Sequence, residues 1–331
     1  MKISVIVPVL NEERSIESLI AALLSQSLPP TEIVITDGGS TDRSTAIIER
    51  YIRAGAPLKL IAQSGSMPGR ARNVAVKNSR SEWIAFTDAG NHPEPNWLAH
   101  LARGTRDGSV DVVYGSYEPV VDTFFKECAA IAYVPPPLQT ELGLARPTSV
   151  VSALMKRNVW ASVAGFPENL RSAEDLLFMR KIESAGFRIT RAPEAIVHWD
   201  IQPTLWRTFK RFVEYSRNNI RAGLWREWQA TIFLRYAALA ALCLPALLVG
   251  WRWLLVPLIC WLLMMMARGL LAVHRNRIDY SAAVVRNAAR LCLLVPIIAV
   301  IDAAAIIGSI KWFAVDAFRV SHARIQDEPE K

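Results

Sequence analysis

Residues 1–13 read MKISVIVPVLNEE, and their reading decides the fold. Ile3 to Val7 is an unbroken run dominated by β-branched residues, the pattern of a strand buried on both faces of a parallel sheet. Asn11-Glu12-Glu13 then opens an amphipathic helix, with Ile16, Leu19, Ile20, Leu23 and Leu24 at helical spacing, and Pro29-Pro30 ends it. The unit recurs. Glu32 to Thr36 is a second strand, followed by DGGSTDRST and a helix carrying Ala46, Ile47 and Tyr51. Leu58 to Ala62 is a third strand, SGSMPGRARN leads into a helix over 70–80, and 83–87 is a fourth strand. Such alternation predicts an α/β fold with a doubly wound, mostly parallel sheet. Ligands of such sheets sit at the carboxyl ends of the strands. Asn11, Asp37, Gly69, Arg72 and Asp88 all fall at or just beyond those ends.

Further on, the pattern predicts a strand over 110–114, an irregular section with Pro135-Pro136-Pro137, a helix over 155–163, a GFPE turn, a helix over 173–185 and a strand over 187–191. The 331 residues allow two domains, or one domain plus a membrane section. Apolar residues make up 52% and concentrate in 230–313, while 1–229 reads as a soluble α/β protein. The stretch 230–273 would run about 65 Å as one helix, against a hydrocarbon core of about 30 Å. Gly250-Trp251-Arg252 breaks it, so a hairpin of spans over about 231–250 and 253–273 is expected, with a third span over 291–313. Arg235 and Arg268 lie near the inner ends and can snorkel. Asp302 is costly inside its span; it contacts a lipid acceptor's head or pairs with Arg268 or Arg290.

The net charge is +8 and the pI about 9.5. Many of the cations fall between 204 and 235, beside the apolar section, which favours a membrane surface over nucleic acid. Residues 204–229 mix Trp, Phe and Tyr with Arg and Lys at helical spacing, as an interfacial helix requires; a helix packed on the soluble domain is the alternative. The basic loop HRNRIDYSAAVVRNAAR is cytoplasmic by the positive-inside rule. The amino terminus lacks a signal-peptide pattern, so the first domain is expected in the cytoplasm as well. A polar tail over 314–331 closes the chain. Cys128, Cys243, Cys260 and Cys292 share no C-x-x-C spacing and read as small buried hydrophobes.

Five motifs in order, VIVPVLNEE, ITDGGSTDRS, GRARNVA, FTDAGNHPEPNWL and GFPENLRSAEDLLFMRKIESAGFRI, resemble the signature of family 2 glycosyltransferases with the GT-A fold. The resemblance covers roughly residues 1–203. It implies inverting transfer of a sugar from a nucleotide-diphosphate donor. It also implies that Pro8, Asn11 and Glu12 contact base and ribose, that Asp37 accepts from the base, and that Gly69 and Arg72 lie near the nucleotide. Asp88 stands as a metal or ribose contact. Two positions depart from the family pattern: Asp-Asp-Gly-Ser is here Asp37-Gly38-Gly39-Ser40, and Gly90 replaces the second Asp of Asp-x-Asp. A weakened divalent site for Mg or Mn is therefore expected, on Asp88 with His198, Asn91 or His92 assisting.

In the Glu174-Asp175 pair, the resemblance implies that Asp175 removes the acceptor's proton. Each acid has a plainer reading as well: Glu12, Glu174 and Asp175 complement a helix dipole, and Asp37 caps the helix after the Ser40-Thr41-Asp42 turn. The reading that results is a multi-pass protein of the cytoplasmic membrane, taking a nucleotide sugar and a lipid or lipid-linked acceptor. The competing reading is a non-catalytic relative that binds nucleotide or lipid without turnover. A dinucleotide oxidoreductase is disfavoured because no G-x-G-x-x-G follows the first strand.

Overall fold

The computed structural model describes residues 1–106, 108–141 and 143–316; the expected polar tail lies outside the described residues from 317 onward. The chain forms two compact units. One comprises Met1–Val120 and Pro137–Asp200; the other comprises Val121–Pro136 and the residues from Ile201 onward.

The first unit is built on ten strands: β1 (Ile3–Val9), β2 (Glu32–Asp37), β3 (Leu58–Ala62), β4 (Trp83–Phe86), β5 (Asn91–Pro93), β6 (Val112–Val120), β7 (Leu138–Thr140), β8 (Gly143–Ala145), β9 (Ala153–Lys156) and β10 (Ile189–Asp200). Eight make one sheet in the order β3-β2-β1-β4-β9-β6-β10-β5, and β7 pairs with β8. The pairs β1–β2, β2–β3, β1–β4 and β6–β10 are parallel; β9 runs antiparallel between β4 and β6, and β5 is antiparallel to β10. The connections leave β1 toward β2 on one side and reach β4 on the other. That reversal opens a crevice beyond the strand ends.

Helices α1 (Ile16–Leu24), α2 (Ser44–Arg53) and α4 (Trp97–Arg103) cover one face of the sheet. Their apolar sides, with Leu19, Leu23, Ile48 and Trp97, close a core over Val5, Val7 and Ile35. The opposite face carries α3 (Pro68–Lys77), α6 (Arg157–Ser162) and α7 (Glu174–Ser184), with Val76, Phe166 and Phe178 packed on Ile6, Val34 and Phe86. Burial on both faces is why β1 and β2 read as continuous apolar runs.

Three expectations are corrected here. A helix was expected over 155–163, yet Ala153–Lys156 is the antiparallel strand β9 and the helix is only Arg157–Ser162. The strand expected over 187–191 is the twelve-residue β10, which reaches Asp200. That expected over 110–114 extends to Val120, because β6 and β10 pair with each other well past the rest of the sheet.

The second unit is helical: α5 (Phe124–Tyr133), α8 (Leu205–Arg221), α9 (Trp225–Trp228), α10 (Ala230–Ala241), α11 (Ala246–Val249), α12 (Leu255–Arg275) and α13 (Val284–Lys311). Among the described residues, three stretches are long and apolar enough to cross a membrane: Ala230–Val249, Trp251–Arg275 and Val284–Asp316. The third was expected to begin at 291. It begins about two turns earlier, at Val284, where Arg286 and Arg290 are drawn onto Glu127 of α5. Arg268 does not snorkel but pairs with Asp302, leaving Arg290 to Glu127. Tyr236 adds its hydroxyl to Asp302. Of the four cysteines only Cys128 is buried; Cys243 is exposed in the turn between α10 and α11, and Cys292 is exposed on α13.

Candidate functional site

Arg72 sits on the second turn of α3, and Pro68 at the start of that helix fixes its entry. The side chain is nearly fully buried yet charged. It donates through Nη2 to Asp88 Oδ1 at 2.6 Å and through Nη1 to Glu174 Oε1 at 2.7 Å. Its guanidinium also lies 5.4 Å above the ring of Phe166, a cation–π contact. Burial opposes the charge on Arg72, but the nearby Asp88, Glu174 and Asp175 carboxylates outweigh it and raise its pKa. Three motifs separated in sequence thus meet on one guanidinium.

The close approach of α3 to α7 depends on Gly69. A Cβ there would stand 2.1 Å from the carbonyl oxygen of Pro167 and 3.3 Å from Cγ of Glu174. Asn73 secures the same turn: its amide donates to the Phe166 carbonyl and to Glu168, and its oxygen accepts from Trp160 Nε1 and the Phe166 N–H. Ala173, just before the acidic pair, is held at φ 69° in the left-handed region. A non-glycine residue there stores about 1–2 kcal/mol, and such strain concentrates at working sites. Trp160, Phe166 and Ala173 were not singled out from sequence; the GFPE turn was their only signal.

Glu174 is buried, whereas Asp175 keeps partial access to solvent. Burial pushes Glu174 up to about 7, with Arg72 opposing and Asp175 adding to the rise. Burial likewise raises Asp175 above the usual carboxylate range, against the pull of Arg72 and the N–H of Leu176, which donates to Asp175 Oδ1. The two carboxyls titrate as a pair. Several buried polar atoms at this edge have no protein partner: Thr36 Oγ1, Ser66 Oγ, Arg72 Nε, Thr87 Oγ1, Asn91 Nδ2, Ser172 Oγ and Glu174 Oε2. Buried polar groups are nearly always satisfied, so the concentration of such atoms at the ends of β2 and β4 and before α7 suits a polar ligand.

The other expected residues occupy the first loops. Pro8 lies in β1 opposite Thr36 of β2. Asn11, at φ 57°, accepts through Oδ1 from the N–H of Thr41, and its own N–H donates to Ser40 Oγ. Glu12 accepts from the hydroxyl of Ser15. The Asp37 carboxylate accepts from the N–H groups of Gly39 and Ser40, so it holds the DGGS turn; it does not cap α2, whose N-cap residue makes no side-chain cap bond. His198 stands apart from the Arg72 cluster in its bonding: Nε2 lies 3.1 Å from Glu94 Oε1, and its strand neighbour is His92. Among the described residues no group of three or more His, Cys, Asp or Glu side chains could hold a metal ion.

The family model described as glycosyl transferase family 2 matches residues 4–146, and that described as glycosyl transferase family group 2 matches residues 83–302. The chain belongs to glycosyltransferase family 2. The poly(ribitol-phosphate) beta-N-acetylglucosaminyltransferase TarS of Staphylococcus aureus strain Mu50 is 33% identical over 201 residues, which are 57% of this chain and 34% of that protein. The chain therefore spans about a third of this relative's length. A crystal structure of S. aureus TarS 1-349 in complex with UDP matches with a TM-score of 0.50 and 26% identity, covering 65% of this chain and 64% of the other. The mannosyltransferase PcManGT from Pyrobaculum calidifontis, in complex with GDP-Man and Mn2+, shares the fold: the TM-score is 0.59 at 19% identity, over 94% of this chain and 87% of that one.

Proposed function

We propose that this family member transfers a sugar, with inversion, from a nucleoside-diphosphate sugar to a lipid or lipid-linked acceptor at the cytoplasmic face of a membrane. The observation that carries the reading is the convergence of Asp88, Glu174 and Asp175 around the buried Arg72. Arg72 anchors the cluster and keeps Asp88 and the start of α7 in register. Asp175, the partly accessible acid, accepts the acceptor's proton as the new bond forms. Glu174, locked to Arg72, orients that helix start.

Three carboxylates around one guanidinium leave net negative charge where a diphosphate must depart. A divalent cation, Mg or Mn, would rest on Asp88, about a third exposed, rather than on a cluster of three carboxylates, and would supply positive charge to the leaving group. The PcManGT complex contains Mn2+ and the TarS complex contains UDP. The TarS complex supports a nucleotide donor here. His198, bonded to Glu94, would join only by giving up that partner.

A membrane location is supported by the surface of the hairpin. Leu244, Leu247, Leu248, Leu255, Leu258 and Leu263 are exposed along it, with Trp225 and Trp228 at one end and Trp251 at the other. That is an apolar band between aromatic belts. The test uses membranes containing the chain, incubated in turn with radiolabelled UDP-glucose, UDP-N-acetylglucosamine and GDP-mannose. Chain-dependent passage of label into organic-extractable material is expected for one donor. Binding of a donor with neither hydrolysis nor transfer would instead favour the non-catalytic reading.

A further inference from the structure

Beyond the Arg72 cluster, β6 and β10 carry a second group of side chains at the same edge. Phe86 of β4 is level with Ala153 of β9, which is level with Tyr114 of β6. Two residues further on are Asp88 and Ser116, so Tyr117 and Glu118 lie only about 3–7 Å beyond the level of Asp88 along the strands. Across the sheet, β4 and β6 are two strand spacings apart, roughly 10 Å. Asp37, where the donor's base is read to bind, ends β2, four strands from β6 and roughly 19 Å away. The group on β6 and β10 is thus close to Asp88, on the side away from the base.

Its members are aromatic and charged. Tyr117 and Trp199 face one another on the paired ends of β6 and β10, rings edge to face with centroids 6.4 Å apart. Both are half-buried. Beside them Arg146, 2% exposed, donates through Nη2 at 2.6 Å and Nε at 3.1 Å to Glu118 Oε2, while Glu118 itself remains more than a third exposed. Arg191 of β10 donates to the carbonyl of Arg146 and fixes the strap that carries it. A buried cation that holds an accessible carboxylate fixes a polar group beside the aromatic pair. The Asp175 carboxylate is close enough to act on Tyr117: burial pushes the phenol up to about 12, with Arg146 opposing and Glu118 and Asp175 adding.

We propose that Tyr117 and Trp199, rimmed by Glu118, form the acceptor subsite and that its occupant is a saccharide ring. An aromatic floor offers a flat apolar face to the C–H side of a pyranose, and a fixed carboxylate accepts from its hydroxyls. The acceptor is then a lipid-linked saccharide rather than a bare lipid phosphate, which an exposed carboxylate would repel. This rests on the transferase reading, and the test separates the two.

The full chain in lipid nanodiscs is supplied with whichever of the three donors it hydrolyses. Release of nucleoside diphosphate is followed while cellobiose, maltose, diacetylchitobiose and mannobiose are titrated in. At least one disaccharide is expected to change the release saturably. In Trp199→Leu the concentration needed rises at least ten-fold, while Trp199→Phe stays within about three-fold of wild type. Donor affinity, measured separately, reports that the variants are folded. No effect of any disaccharide on a wild-type protein that hydrolyses donor, or an unchanged response in Trp199→Leu, overturns the subsite. Absence of both donor binding and hydrolysis removes the transferase reading itself, and the subsite with it.

Discussion

At the scale of single residues, Arg72 is the point on which the site depends. Removing its charge leaves the buried Glu174, and Asp88, without their cation; breaking such a buried pair costs on the order of 3–5 kcal/mol. Arg72→Met is therefore expected to lower the unfolding temperature of the first unit by roughly 10 °C, measured by calorimetry. Adding Glu174→Gln should return much of that loss. The same pair sets a pH dependence. Burial lifts Glu174 to about 7 and raises Asp175 above the usual carboxylate range, so Glu174 gains its proton as pH falls through about 7 and Asp175 gains its own at a higher pH than an exposed carboxylate does. A base works unprotonated, so the transfer rate should decline with falling pH before an exposed carboxylate would titrate. Glu174→Gln removes one like charge and moves the decline to lower pH; a rate flat from pH 5 to 8 would contradict this.

The pairing of Arg72 with two distant acids was not legible in the sequence, where a helical Arg next to Gly69 reads equally well as a surface residue. What could be read was that Asp88 and Glu174-Asp175 end a strand and begin a helix, since those positions follow from local pattern. Three-dimensional partnership between residues 16 and 102 positions apart does not.

Among elements, helix α13 is held by close packing and by charge. Gly308 meets α8 so tightly that a Cβ would stand 2.4 Å from the carbonyl oxygen of Val213 and 2.8 Å from Cβ of Ser216. Gly308→Leu should cost about 1–3 kcal/mol, visible as a lower unfolding temperature in detergent. The buried Asp302 draws on two other spans, through Arg268 and Tyr236. Asp302→Leu alone is expected to reduce the folded yield in membranes, because it leaves Arg268 uncompensated. The double variant Arg268→Leu/Asp302→Leu should recover it, measured by protease resistance. Recovery would show that the pair specifies span packing rather than binding a lipid head.

Elements also mark where sequence reading stops. β1 to β4 were legible because each is a short apolar run closed by a turn signal. β9 was not: ALMK has no strand alternation, and it becomes a strand only because β4 and β6 lie on both sides of it. The start of α13 was hidden likewise, since VVRNAAR looks like basic loop until Glu127 is placed against it.

For the whole molecule, the account joins a sheet-based unit to helices suited to a membrane. The exposed apolar hairpin implies that its turn at Trp251-Arg252 and the loop at Asp279 lie on opposite faces. Single cysteines placed at 252 and 279 of a variant lacking the native four should differ in labelling by an impermeant maleimide, with 279 on the cytoplasmic side; equal labelling would contradict a hairpin that crosses. The central claim, that Asp175 removes the acceptor's proton, is tested most directly by the rate of sugar transfer in Asp175→Asn, with donor affinity measured on the same preparation. The account predicts a fall of at least 100-fold in rate with donor affinity within about three-fold of wild type. Transfer at the wild-type rate would contradict it.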